Sequence, residues 1–349
     1  MTTPATAPIA TGLLAYGMSG KVFHAPFLAL HPGFELRAVV ERTAPGRMAH
    51  DYPGTVSYAS TEALLADPAL ELVVVNTPND THVALARQAL LAGKHVLLEK
   101  PVATAAAEVR ALYALARQQG RHLLAYQNRR WDTDFAAVRR VVHSGQLGEL
   151  IEVHLRFDRY RPALSPKAFK EDAARAGAGL HFDLGPHILD QALSLFGQPS
   201  AFETTTGRYR PHSQVDDFFS IQLTYPHGLR VTLTGSLLVA DAGPAYVLHG
   251  TQGSYRKGRT DPQEFQLVAG MKPDSPAYGR EQPGDAGRLT LAGPDGALTT
   301  TADAAAPGSY LGLFEAAHQT IRHGQPYPIT EDELAWQLEI LAGRQAMSK

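Results

Sequence analysis

The chain has no cysteine, which excludes disulfides and thiolate metal ligands and fits a cytoplasmic protein. Neither sign of charge dominates. Lys and Arg number 32 against 34 Asp and Glu, for a formal net charge of −2, whereas a protein that coats nucleic acid is usually basic. No apolar run is long enough to cross a bilayer, so no membrane span is expected. Met1–Ala10 has neither a basic start nor an apolar core, so no signal peptide is expected either. There is no internal repeat. No His-Glu-x-x-His occurs among the 15 histidines, and no metal site is expected. What is present is ordinary globular composition, 44% apolar and 19% charged. A chain of 349 residues is too long for one core and predicts two domains.

From Ile9 to about Ala125, short apolar runs alternate with helical segments. Ile9–Ala15, Phe34–Val40, Leu70–Asn76, His95–Leu98 and His122–Tyr126 read as buried strands. Ser60–Leu65, Thr81–Ala92 and Ala103–Gln119 carry apolar residues at helical spacing. That alternation predicts βαβ units and a parallel sheet. After about Ile151 the rhythm changes: Ile151–Phe157, Phe218–Tyr225, Leu229–Leu238 and Ala245–Gly250 are strand-like, and a helix is expected over Pro186–Phe196, ended by Gly197. The stretch from about Lys272 to Gly308 is rich in Gly, Pro and Asp and reads as a long loop or lid. Tyr310–Lys349 reads as helical, broken at Gly324–Pro328. The expected fold is an α/β Rossmann domain with a parallel, doubly wound sheet (residues 1–126). An α+β domain with a large mixed or antiparallel sheet (residues 127–349) follows it.

The first strand runs into Ala15-Tyr16-Gly17-Met18-Ser19-Gly20, a dinucleotide fingerprint whose first glycine is alanine. Gly17 lets backbone approach a pyrophosphate, and Gly20 lets the following helix pack on the strand. Gly20-Lys21 also suggests a Walker A loop, but that motif needs glycine where Ala15 stands and Ser or Thr where Val22 stands, so the reading fails. About twenty residues on, the second strand ends in Glu41-Arg42. An acidic residue there bonds the ribose 2′-hydroxyl of NAD, and an arginine holds the 2′-phosphate of NADP. With both present, NAD or NADP is the expected cofactor, with a lean to NAD. A solvated charge pair at a strand end accounts for the same two residues.

Three further segments are specific. They are Val75-Asn76-Thr77-Pro78-Asn79-Asp80-Thr81-His82, Glu99-Lys100-Pro101, and Gly179 to Asp190 with Asp183 and His187 four residues apart. With the opening turn they resemble the Gfo/Idh/MocA oxidoreductases, from about residue 9 to the end of the chain. Gly17–Pro26, Gln127–Trp131 and Phe157–Pro162 are most similar to the branch containing NADP-dependent scyllo-inositol dehydrogenases. The departures are Ala15, which should tighten the turn, and Ala178, where many members carry glycine.

The resemblance implies direct hydride transfer between the cofactor and a secondary alcohol or ketone on a sugar or cyclitol. Histidine suits the base because its ordinary pKa is near neutral, and on a helix Asp183 shares a face with His187. The alternative is Asp183 as a helix N-cap, Pro186 in the first turn and His187 merely buried. Lys100, at the carboxyl end of a strand, is expected to stabilise alkoxide charge beside the nicotinamide ribose, and the resemblance suggests a cis bond before Pro101. It also lays Asn76, Thr77, Pro78, Asn79 and His82 along the nicotinamide, with Glu99 and Asn128 among the cofactor contacts. Asn79, Asp80 and Thr81 are equally good helix caps.

Arg129, Asp158, Tyr160 and Arg161 are substrate-pocket candidates beside Lys100, Asp183 and His187. The arginines suit a carboxylate or phosphate as well as a polyol, and an interdomain salt-bridge network accounts for the same residues. Relatives commonly assemble as dimers or tetramers through the C-terminal sheet. Two rival functions remain: a reductase of another carbonyl or imine, of dihydrodiol or tetrapyrrole type, and a nucleotide-binding sensor or co-repressor without turnover.

Overall fold

The computed structural model describes residues 7–165, 171–175 and 177–346, with side chains through 343. Six strands form the first sheet: β1 (Ile9–Leu13), β2 (Phe34–Val40), β3 (Val56–Tyr58), β4 (Leu72–Val75), β5 (His95–Glu99) and β6 (Leu123–Tyr126). All pairings are parallel, in the order β3-β2-β1-β4-β5-β6. The central strands are apolar throughout because both faces are covered: every residue of β1, β4 and β6 is buried. Each fully buried Val or Leu contributes roughly 1.5–3 kcal/mol relative to exposure. The crossovers hold α1 (Ala25–Leu30), α2 (Arg47–Asp51), α3 (Thr61–Leu65), α4 (His82–Leu91) and α5 (Ala106–Gln118). This is the Rossmann order, and it opens a crevice beyond the carboxyl ends of β1 and β4.

The chain then runs through α6 (Thr133–Ser144), β7 (Leu150–Asp158), α7 (Leu180–Phe196), β8 (Ala201–Gly207), β9 (Phe218–Thr224), β10 (Arg230–Ser236), β11 (Tyr246–Gly250) and β12 (Gly253–Lys257). After these come α8 (Gln263–Val268), β13 (Gly287–Ala292), β14 (Leu298–Asp303), α9 (Leu311–His323), α10 (Glu331–Ala342) and β15 (Arg344–Ala346). The second sheet is mixed and nine-stranded, ordered β14-β13-β12-β11-β7-β10-β9-β8-β15. β7 lies at its centre with Val153, Leu155 and Phe157 buried, while the alternate residues from Glu152 to Asp158 are exposed or half-buried. No helix among the described residues is long and apolar enough to cross a membrane.

Three expectations are corrected. The Lys272–Gly308 stretch is no simple loop, because it contains the β13–β14 hairpin. α7 begins at Leu180 rather than Pro186, and Pro186 lies inside it. The end of the chain is not wholly helical: after α10 it adds β15, parallel to β8, and residues 347–349 lie outside the described residues. α9 returns to the first sheet, where Phe314 stacks on Phe27 of α1 at 5.3 Å, and α10 packs on both α5 and α7.

Candidate active site

The phosphate turn is pinned from two sides. Asn76, the first residue past β4, accepts from the Ala15 N–H at 3.1 Å and donates to the Ala15 carbonyl at 2.9 Å. Ser19 donates to Glu99 at 2.6 Å, and the same carboxylate oxygen meets His24 Nε2 at 2.9 Å. Burial works to raise the Glu99 carboxyl, but His24, Ser19 and Lys100 hold it below its ordinary value. Glu99 therefore builds the turn from behind. A Cβ on Gly20 would lie 2.3 Å from the Ala15 carbonyl oxygen and 2.8 Å from Asn76 Nδ2, so the packing leaves room for glycine alone. A Cβ on Gly17 would meet nothing within 4 Å, and Gly17 and Met18 are exposed at the tip. That open backbone beside a helix start fits a dinucleotide pyrophosphate.

The ribose end departs from expectation. Glu41 is 7% exposed and uses its carboxylate on its own loop. Oε2 accepts from the Gly46 N–H at 2.9 Å and the Ser57 hydroxyl at 2.5 Å, and Oε1 from the Met48 N–H at 3.3 Å. Arg42 is exposed at the strand end. Beside the turn is a cleft of about 380 Å³ lined by Tyr16, Lys21, Gly46, Arg47, His50 and Asp51. Arg47 crosses it to donate to the Tyr16 carbonyl. Lys21 and the Tyr16 hydroxyl hold the Asp51 carboxyl below its ordinary value.

Beyond β4 the loop is a short 3₁₀ turn, Asn79–Thr81, with Thr77 and Thr81 hydroxyls 2.6 Å apart and Pro78 exposed. The buried His82 ring spans the carbonyls of Pro101 (2.8 Å) and Thr77 (2.9 Å), fastening this loop to the Lys100 turn. The Lys100–Pro101 peptide is cis. Lys100 Nζ donates to the Asp183 carbonyl at 2.9 Å and stands 3.4 Å from Asp183 Oδ1.

Asp183 does not cap α7. The N-cap is Gly179, and the His181 N–H donates to Asp216, 35 residues away, at 2.6 Å. Asp183 lies in the first turn and faces Lys100. His187 is 6% exposed, with Nδ1 buried and unpartnered. Burial, then Lys100, Arg129, Arg159 and Arg259, push its pKa well below the ordinary value, so the ring is neutral, the form a general base requires.

Of the pocket candidates, Arg129 reaches the site: it is 12% exposed, pairs with Asp132 and Glu264, and lies over the Phe157 ring. Asn128 is buried at the head of the 3₁₀ turn Asn128–Trp131. The neighbouring Arg130 makes a two-pronged buried pair with Asp190 at 2.8 and 2.9 Å, clamping that turn to α7. Asp158 is a correction. Its carboxylate turns to Arg156 at 2.7 Å, on the face of β7 opposite Phe157, because successive strand residues alternate. Tyr160 is 60% exposed, and Arg161 is exposed as well. Arg159 occupies the place expected of them, and Arg259 and Glu264 were not foreseen. Alternation counted from the buried Phe157 was the available signal for Arg159; the other two arrive from a distant segment with no local mark.

Residues 9–127 match the model of an oxidoreductase family with an NAD-binding Rossmann fold, and residues 135–256 match the GFO/IDH/MocA C-terminal domain. The chain is 33% identical to the NADP(+) scyllo-inositol 2-dehydrogenase IolW of Bacillus subtilis, over 93% of this chain and 89% of that one. It is 35% identical to the uncharacterized oxidoreductase YdgJ of Escherichia coli, over 95% and 94%. A solved oxidoreductase structure from Bacillus cereus superposes with a TM-score of 0.88 at 31% identity, over 96% and 95%.

Proposed function

This chain belongs to the Gfo/Idh/MocA family of NAD-binding oxidoreductases, and from that premise we propose that it interconverts a secondary alcohol and a ketone on a sugar or cyclitol. The observation that carries this is the meeting of Lys100, at the end of β5, with Asp183 and the neutral, buried His187 on α7. His187 takes the hydroxyl proton on oxidation and returns it on reduction. Lys100, oriented by the Asp183 carbonyl, places positive charge where the alkoxide develops. The nicotinamide cofactor, when bound, accepts or supplies the hydride. The similarity to IolW supports a cyclitol.

The proposed cofactor is NADP. With Glu41 occupied by its own loop, the cleft beside the turn is lined by Arg47 and the Asp51-paired Lys21, and Arg42 is exposed just past β2, which suits a 2′-phosphate better than a bare hydroxyl. Binding titrations with NADP and NAD test this, and tighter binding of NAD would overturn it. The half-exposed face of the second sheet is the proposed surface for assembly into dimers or tetramers, checked by light scattering.

The activity is tested by following reduced-cofactor absorbance with both cofactors against inositols, aldoses and their keto forms, with Lys100→Ala and His187→Ala as controls. Turnover that both variants abolish supports the reading. Cofactor binding with no turnover across the panel moves the protein to the sensor class, and turnover surviving both substitutions displaces the site.

A further inference from the structure

The pocket gathers more positive charge than the chain neutralises. The guanidinium carbons of Arg129, Arg159 and Arg259 lie 5.0, 5.1 and 4.1 Å from the centre of the Phe157 ring, and the His187 ring is 6.5 Å from the same ring. Arg129 meets two carboxylates, Asp132 and Glu264. Among the described residues, no carboxylate lies within 4.0 Å of Arg159 or Arg259. Arg259 donates only to neutral acceptors, the Tyr246 hydroxyl at 3.0 Å and the Arg156 carbonyl at 2.7 Å, and its Nε is buried without a partner. Burial and the neighbouring Arg161 lower the Arg159 pKa against the smaller opposing pull of Asp183 and Glu264, neither of which is in contact with it. Three buried cations elsewhere are matched by carboxylates, Arg130 by Asp190, Arg210 by Glu171 and Asp217, Lys257 by Glu281, while the buried Lys94 is met by the Asp67 and Leu70 carbonyls.

A cation without a paired counter-ion becomes costly once a ligand shuts water away from it; Arg159 and Arg259 are half-buried, and a neutral polyol would leave both guanidiniums without a carboxylate in contact. We propose that the substrate oxidised at His187 carries an anionic group, a carboxylate or a phosphate, held by Arg159 and Arg259. The inference rests on the reading of this pocket given under Proposed function. The planar guanidinium fork matches either group in two-pronged fashion. An anion here also serves the chemistry. Proton transfer to His187 creates an imidazolium among four cations, and a substrate charge beside it offsets that repulsion.

The test uses the cofactor-loaded protein and matched sets: glucose, glucuronate and glucose 6-phosphate, then myo-inositol and its 1-phosphate. One charged member of a set is expected to exceed its neutral partner in kcat/KM by on the order of 100-fold. Whether the uronate or the phosphates lead identifies the anion. Arg159→Gln should raise KM for the charged member about tenfold, and Arg159→Lys should recover part of that loss. Neutral members matching or exceeding the charged ones overturns the inference and leaves the polyol reading intact. If nothing turns over, calorimetric binding of the same sets decides. Preference for a charged member supports the inference while removing the polyol reading, and no preference, including no binding, overturns it.

Discussion

The two sides of the crevice are built on opposite electrostatic terms. On the cofactor side the carboxylates and the turn are tied to internal partners, Asn76 with Ala15, Ser19 and His24 Nε2 with Glu99, Glu41 with its own loop, and His24 Nδ1 alone among these groups is buried without one. On the substrate side the groups at the centre are incomplete: His187 Nδ1 and the Nε atoms of Arg129 and Arg259 are buried without partners. The first side is a rigid cradle shaped by backbone. The second stores unmet charge, which destabilises the empty pocket and is available to a ligand. Preorganised charge in a water-poor site is a large source of catalytic power.

Substitutions should separate the two sides. The largest expected effect is on activity: His187→Ala or Lys100→Ala should lower kcat by roughly 10²–10⁴ while cofactor binding, followed by fluorescence titration, persists. Survival of kcat in either variant would place the chemistry elsewhere. Next is stability. Arg130→Ala strands Asp190, 2% exposed, and should cost about 3–5 kcal/mol in a denaturant melt. Arg159→Gln, which removes an unpaired charge from the pocket, should leave stability unchanged or raise it by up to about 1 kcal/mol. Equal losses in the two variants would erase the contrast drawn here.

The paired glycines sharpen the cofactor side. Gly20→Ala forces a Cβ against backbone at 2.3 Å and should cost about 1–3 kcal/mol. Gly17→Ala meets nothing, so it should melt like the parent yet bind cofactor more weakly. A Gly17→Ala protein with undiminished cofactor affinity would remove the turn from the binding site.

The smallest effect is a pH dependence set far from the crevice. His95, at the start of β5, accepts from the His122 N–H at 3.0 Å. Burial first, then His122 and Arg121, lower its pKa from 6.5 to about 4. The unfolded chain therefore takes up this proton before the folded one does. The stability from His95 is fully present above pH 6.5 and is lost as pH falls toward about 4. His95→Asn, which keeps an acceptor but cannot titrate, should flatten the melting temperature over that window. His187 is shifted in the same direction, so the acid limb of the oxidation rate should fall below the ordinary histidine value.

Much of the Rossmann half was legible because its signals are local. Buried parallel strands read as continuous apolar runs, and the turn after β1 declares itself by glycine spacing. The β13–β14 hairpin escaped because β14, Leu298–Asp303, is exposed along nearly its whole length and shows no apolar alternation. Its neighbours Gly293, Pro294 and Gly296 read only as loop. The start of α7 escaped because Asp216, the carboxylate that accepts from the His181 N–H in its first turn, comes from outside the helix. Asp158 and Arg159 were exchanged because periodicity sets that neighbours face opposite ways, not which of them faces the pocket. Only Phe157, buried under α7, decides that.

The sequence by itself determined the glycine turn after β1, the alternation that builds a parallel sheet, and the three candidate residues Lys100, Asp183 and His187, through the stereochemistry of glycine and motif spacing. The tertiary structure alone decided how charge is distributed around them. It withdrew Glu41 into its loop, turned Asp158 away, and brought Arg259 from β12's far end against Phe157 and His187. Bond geometry and periodicity act over a few residues and leave marks in sequence. Coulomb interactions join groups a hundred residues apart and exist only once the chain has folded.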